Sequence, residues 1–245
     1  MKIYLNCTAN LGDFMNAYPV LAGLAADKKI DLVIRHEMQK FLHFRELLYY
    51  QGIFNSINYD NEVSTHGHYI LSSWTRMDRN DSQRPIETCR YENWLRDNYQ
   101  IDFVVDDNCI LQIPEIDVDV SHDLVIVGDR WGFEQDHTVD TRRYSNVIRN
   151  GANLDPNKVH YLDYTRSIFE NCAIIKNNPN SFVTTFTGIG IIADLMNKPT
   201  IVCWDEDMRI WDGQPVEFDW HRHYYNNRQS KLCYVKDLNI NDCKH

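Results

Sequence analysis

No run of apolar residues in this 245-residue chain approaches the roughly 20 needed to cross a bilayer as a helix. The opening Met1-Lys2-Ile3-Tyr4-Leu5-Asn6 also lacks the long apolar core of a signal peptide, so a cytoplasmic location is expected. Positive charge is not in surplus: the formal net charge is −10, which argues against bulk attraction to nucleic acid or acidic membranes and leaves only a local basic groove open. Seven cysteines form an odd count without a C-x-x-C pair or paired metal-ligand spacing, and they read as reduced core thiols. What is present is ordinary for a globular chain, 43% hydrophobic and 24% charged, which excludes disorder and collagen-like order.

Apolar periodicity divides the chain into strands and helices. Lys2 to Cys7 reads as a buried strand that stops at the turn Thr8-Ala9-Asn10-Leu11-Gly12-Asp13. Phe14, Met15, Tyr18, Leu21 and Leu24 then recur at helical spacing, with Pro19 either kinking the helix or opening its first turn. Ile30 to Arg35 is a second strand, which completes a βαβ unit and implies a parallel sheet. Further on, Glu37 to Gln51 and Tyr91 to Tyr99 read as helical, and Phe54 to Ile57, His68 to Leu71 and Ile110 to Ile113 as strands. Between them, Trp74 to Arg90 reads as a polar, mixed-charge surface loop carrying Arg76, Arg79, Arg84 and Arg90.

A second cycle opens at Leu124-Val125-Ile126-Val127, closed by Gly128-Asp129-Arg130 in the manner of the first strand and its turn. Alternating helices and strands run on to Thr200 to Trp204, after which the pattern fades into an aromatic, polar tail. The expected fold class is therefore α/β, two Rossmann-like doubly wound lobes of parallel strands facing a ligand cleft. The boundary is placed at the Pro114-Glu115-Ile116-Asp117 connector, giving lobes of residues 1–117 and 118–245.

One block carries the strongest chemical signal. Phe182 to Thr184 feeds the hydroxyl-rich turn Thr185-Phe186-Thr187-Gly188, which opens a helix, so free backbone N–H groups and a positive dipole end face whatever lies above the sheet. That arrangement suits a phosphate, with Thr185 and Thr187 as hydroxyl donors and Gly188 allowing close approach of a diphosphate. An ordinary N-capped crossover helix explains the same residues. Gly188-Ile189-Gly190-Ile191-Ile192-Ala193 also matches G-x-G-x-x-A with Asp205 beyond the next strand, the outline of an NAD-binding fingerprint, but the helix is short and little sequence follows to complete such a domain.

The combination of Leu11-Gly12-Asp13, Pro19 and Leu24 with Thr187-Gly188, Ala193 and Lys198-Pro199-Thr200 resembles the ADP-heptose:lipopolysaccharide heptosyltransferase family, glycosyltransferase family 9. The resemblance extends loosely over about 200 residues and implies the GT-B architecture, with residues 1–117 as acceptor lobe and 118–245 as nucleotide-sugar donor lobe. It implies Asp13 as the base and the Thr187-Gly188 turn as the donor diphosphate site. Where the family commonly carries an aspartate before that turn and a histidine three residues after its glycine, this chain has Phe186 and Ile191.

The residues themselves agree with these roles. Asp13 sits where a strand C-terminus faces the expected cleft, within reach of an acceptor hydroxyl; capping the first helix is the other role open to it. Asn10, Gly12 and Arg76 are expected on the acceptor side. Arg130, Arg142 and Arg143 are the nearest basic groups for a departing diphosphate, with Thr138 and Thr141 in the same loop, although two adjacent helical arginines cannot point the same way. Asp205, first of the acidic run Asp205-Glu206-Asp207, is placed for ribose contact or for a solvated turn. His221-Arg222-His223 is an incomplete metal site, and the stretch Trp220 to Asn227 offers flat rings for stacking or for packing across the lobes.

The expected activity is sugar transfer from a nucleotide-sugar donor to a hydroxyl acceptor with inversion. No metal or cofactor is expected beyond the nucleotide sugar as co-substrate. The acceptor is either a saccharide, such as a lipopolysaccharide core, or a hydroxymethylated base of viral DNA. The alternatives are a non-catalytic nucleotide-binding protein and, more distantly, an NAD-dependent enzyme.

Overall fold

The computed structural model describes residues 1–6, 10–60, 69–72, 84–106, 108–129, 146–208, 215–216, 220–225 and 230–244. They build two parallel sheets flanked by helices. The first has the order β3-β2-β1-β4, from β1 (Lys2–Asn6), β2 (Ile30–Ile34), β3 (Phe54–Tyr59) and β4 (Tyr69–Ser72). The second has the order β6-β5-β7-β8-β9, from β5 (Val125–Gly128), β6 (Val159–Tyr161), β7 (Phe182–Thr184), β8 (Thr200–Trp204) and β9 (Ser230–Tyr234). Each sheet reverses its winding beside its first strand, between β1 and β4 and between β5 and β7. A crevice therefore opens at the carboxyl ends of those strands, where ligands of such sheets bind.

The helices follow from local chemistry. The predicted first helix is two, α1 (Leu11–Met15) and α2 (Tyr18–Leu24), because Pro19 lacks an N–H and settles into the opening turn of α2. Glu37 to Gln51 likewise divides, into a 3-10 turn at His36–Lys40 and α3 (Phe44–Tyr50), with His43 left-handed at φ 58 between them. The next helix, α4 (Ile86–Tyr99), begins before the predicted Tyr91, so Arg90 belongs to a helix and not to the polar loop. It also closes an open edge: Trp94 donates to Ile70 O at 2.8 Å and Ile70 N–H to Tyr99 Oη at 3.0 Å, so β4 keeps no bare ladder there.

In the second lobe, α5 (Val147–Gly151), α6 (Ile168–Asn177) and α7 (Gly188–Leu195) cross between strands, and α8 (Trp220–Tyr224) precedes β9. Successive residues of β5 point to opposite faces. Ile126 joins one apolar cluster, while Val125 and Val127 join the other, so both faces of the sheet are covered. The first cluster also holds Ile3, Leu5 and Phe14 of the first lobe and Phe182, Ile191 and Ile192 of the second, so a single core runs through both.

The connection between the lobes is extended and irregular, and Ile110 to Ile113 is not the predicted strand. Its ladder partners are replaced by a side chain and a helix end. The Gln51 amide exchanges two 2.8 Å hydrogen bonds with the backbone of Gln112, and Leu111 N–H donates to Leu195 O at 2.9 Å. Nearer its start the connector crosses α2 so closely that a Cβ on Gly23 would lie 2.1 Å from Val104 O. No helix of the described residues is long and apolar enough to cross a membrane.

Candidate active site between the lobes

The first turns of α1 and α7 meet face to face. A Cβ on Gly188 would stand 2.7 Å from Leu11 Cβ and 3.0 Å from Gly12 N, and one on Gly12 would stand 2.8 Å from Ile191 Cδ1. The first turns of α1 and α7 can approach this closely only because both positions lack a side chain. The remaining glycine of the Gly-x-Gly pattern has its own neighbour: a Cβ on Gly190 would lie 2.4 Å from Tyr225 Oη. Lobe contact and α8 packing thus account for both glycines that suggested a dinucleotide fingerprint. Ile191, where the family resemblance has a histidine, is buried against Gly12.

Asp13 lies in the first turn of α1 and is half-buried. The N-cap is Asn10, extended and without a side-chain capping bond; its amide reaches Asp13 Oδ2 at 3.5 Å. The backbone around Asp13 is held by two residues one turn apart on α4. Tyr91 Oη donates to Asp13 O at 3.0 Å, and Thr88 Oγ1 to Asn16 O at 2.9 Å. A third neighbour comes from the other end of the chain: the Tyr224 phenol lies close enough to Asp13, Glu87 and Arg90 to feel their charges. Burial first, then the negative charges of Asp13 and Glu87, raise the Tyr224 pKa, so the phenol remains a donor.

Across the cleft, the Thr187 hydroxyl caps α7, accepting from Gly190 N–H at 3.2 Å and pairing with Thr184 Oγ1 at 2.9 Å. Thr185 is fully buried, and its carbonyl accepts from Tyr225 Oη at 3.0 Å. Among the described residues no acceptor takes the N–H groups of Gly188 and Ile189, the first of α7, which leaves two donors at the positive end of the helix dipole.

Asp205 folds its carboxylate onto Asp207 N–H at 2.9 Å, an acidic turn beside the end of α5. Asp129 is engaged by α5, accepting from Ile148 N–H and Arg149 N–H at 2.7 Å each; burial nevertheless pushes its carboxyl up. Arg84 pairs with Glu92 at 2.8 Å and Arg90 with Glu87 at 3.1 Å. Arg76, Arg79, Arg130, Arg142, Arg143, Thr138 and Thr141 lie outside the described residues.

Nothing in the sequence marks Tyr224 and Tyr225 beyond their place in the aromatic stretch. His221, part of the suspected metal pair, is buried against Ser230 Oγ at 2.9 Å and stacked on Tyr225, and burial pushes its pKa down to about 4. Among the described residues no group of three His, Cys, Asp or Glu side chains is placed to hold a metal ion.

Two parallel-sheet lobes whose crevices face each other define a GT-B-like fold. Solved structures share it at low identity. The Escherichia coli heptosyltransferase WaaC with ADP is 10% identical, with TM-score 0.55 over 99% of this chain and 97% of that one. A glycosyl transferase family 9 structure from Veillonella parvula DSM 2008 is 12% identical, with TM-score 0.56 over 97% of this chain and 88% of that one. WaaC with ADP-2-deoxy-2-fluoro heptose is 9% identical, with TM-score 0.51 over 98% and 97% of the two chains. No family model matches the sequence, and no curated protein does.

Proposed function

We propose that this chain is a glycosyltransferase related to family 9, moving a sugar from a nucleoside-diphosphate donor to a hydroxyl acceptor with inversion. The observation that supports the reading is the close approach of the first turn of α1, which carries Asp13, to the first turn of α7, whose first two N–H groups have no acceptor among the described residues. The WaaC structures of the same fold hold ADP and ADP-2-deoxy-2-fluoro heptose, which supports a diphosphate as the group that α7 receives.

In this reading the lobe of residues 1–117 presents the acceptor, with Asn10, Gly12 and Arg76 near it, and the lobe of residues 118–245 presents the donor. The Asp13 carboxylate takes the proton of the acceptor hydroxyl as its oxygen attacks the anomeric carbon. The bond from that carbon to the diphosphate oxygen breaks on the opposite face. Gly188 and Ile189 N–H groups, set before the reaction begins, receive the charge that develops on the leaving diphosphate. The Thr187 hydroxyl serves by capping the helix that aims them. Arg130, Arg142 and Arg143 are assigned to the same anion and Asp205 to the donor ribose. Helix and arginine charge make a metal dispensable.

For the acceptor, a saccharide is favoured over duplex DNA, because Arg84 and Arg90 are already committed to Glu92 and Glu87. Transfer to a saccharide should therefore vary little with salt, whereas a steep fall with salt on a hydroxymethylated duplex would mark DNA as the acceptor. The reaction itself is tested with a panel of nucleotide sugars followed by mass spectrometry. Asp13→Asn should retain the donor that the unaltered protein consumes while transfer falls by about 10² to 10⁴. Binding without consumption by the unaltered protein would instead indicate a non-catalytic nucleotide-binding protein.

A further inference from the structure

Tyr225, the residue that follows α8, lies fully buried against the turn that opens α7. Its hydroxyl donates to Thr185 O at 3.0 Å, with Thr187 O a second acceptor at 3.3 Å, and accepts from Thr187 N–H at 3.3 Å. Within the turn, Thr187 N–H also donates to Thr185 O at 2.8 Å. Tyr225 is itself held in place: its N–H donates to His221 O at 3.0 Å, its ring stacks on the His221 ring, and that ring bonds Ser230 Oγ at the start of β9 at 2.9 Å. Phe186, in the middle of the turn, sets its ring edge-on to the Tyr225 ring with centroids 6.3 Å apart. Gly190 leaves room for the hydroxyl, since a Cβ there would stand 2.4 Å from it.

We infer that Tyr225 is a positioning residue for the donor diphosphate, aiming the first N–H groups of α7 through the peptide groups that its hydroxyl holds. The inference rests on the reading of α7 as the diphosphate site. A peptide group is planar and trans, so its C=O and N–H point in opposite directions. Thr187 O and Gly188 N–H belong to one such group. A hydroxyl that engages the carbonyl therefore fixes the line along which the Gly188 N–H points, away from the phenol. The same carbonyl accepts from Ile191 N–H at 3.2 Å, so the phenol sets the turn against the helix it opens. When the hydroxyl is removed, Thr187 N–H keeps Thr185 O and Thr187 O keeps Ile191 N–H. The turn then stays closed while its peptide planes gain freedom to swing, and donors that must be ordered on binding hold an anion less tightly than donors already set.

Inorganic pyrophosphate is the probe, because it carries the anion without base or sugar, and Tyr225→Phe removes the hydroxyl alone. At a temperature where both proteins are folded, the pyrophosphate Kd of Tyr225→Phe should rise about tenfold, the size of one hydrogen bond. The nitrogen-15 amide resonances of Gly188 and Ile189 should move with it. A lower melting temperature with affinity and both resonances unchanged would leave Tyr225 a packing residue and overturn the inference. Moved resonances with unchanged affinity would overturn it as well. If the unaltered protein binds no pyrophosphate, the diphosphate reading of α7 falls, and the two resonances decide whether Tyr225 sets the turn. Should Tyr225→Phe fail to fold, Gly190→Ala takes its place, since its methyl displaces the same hydroxyl; unchanged pyrophosphate affinity in that variant overturns the inference.

Discussion

At the scale of single residues, the two facing glycines make unequal demands. A methyl at Gly188 meets the Cβ of Leu11 and the backbone of Gly12, neither of which can turn aside, whereas a methyl at Gly12 meets the far end of the Ile191 side chain. Gly188→Ala should therefore cost about 1–3 kcal/mol and weaken nucleotide binding, while Gly12→Ala costs less, because overpacking is cheap only where a neighbour can rotate. Thermal melts and ADP titration of the two variants check the order. Asp13 and the Thr187-Gly188 turn are legible in the sequence because each is a local pattern, a strand end followed by a helix start. The place of Tyr225 beneath that turn is not, since its bonds to Thr185 and Thr187 join distant segments of the chain and leave no spacing to read.

Among the elements, α8 carries a titratable anchor. His221 is buried, bonded to Ser230 and stacked on Tyr225, with its pKa lowered from 6.5 to about 4. Because the folded value lies below the unfolded one, the unfolded chain takes up a proton over that window which the folded chain refuses. Stability from this group is present above pH 6.5 and is lost as pH falls toward 4. Between pH 7 and pH 5 the loss should be about 2 kcal/mol, and His221→Gln should flatten this part of the profile in urea unfolding.

Elements differ in how plainly the sequence announces them. Strands β1, β7 and β8 stand out as apolar runs because both faces are covered. Strand β9 is an edge strand with Lys231 exposed, and its short Leu232-Cys233-Tyr234 run follows directly on the aromatic, polar stretch, so the sequence pattern merges it with the tail. The start of α4 is hidden because its inner face buries Glu87, Thr88 and Asn93, polar residues satisfied by pairing and not by apolar packing. The start of α6 is written in the sequence as the capping box Ser167 to Glu170.

For the whole molecule, the two-sheet plan follows from alternating strands and helices, whereas the way the lobes are joined does not. The connector is held by a glutamine side chain and a helix end, and the last helix crosses back to the first lobe. Such contacts between distant segments have no periodicity. They matter because they set how Asp13 stands relative to α7, and the account depends on that relation. A crystal structure of the chain with bound ADP or UDP tests it most directly. The account predicts diphosphate oxygens about 3 Å from the N–H groups of Gly188 and Ile189, with the terminal phosphate turned toward Asp13. A diphosphate seated away from the start of α7, or an Asp13 carboxylate on the far side of α1 from it, would contradict the account.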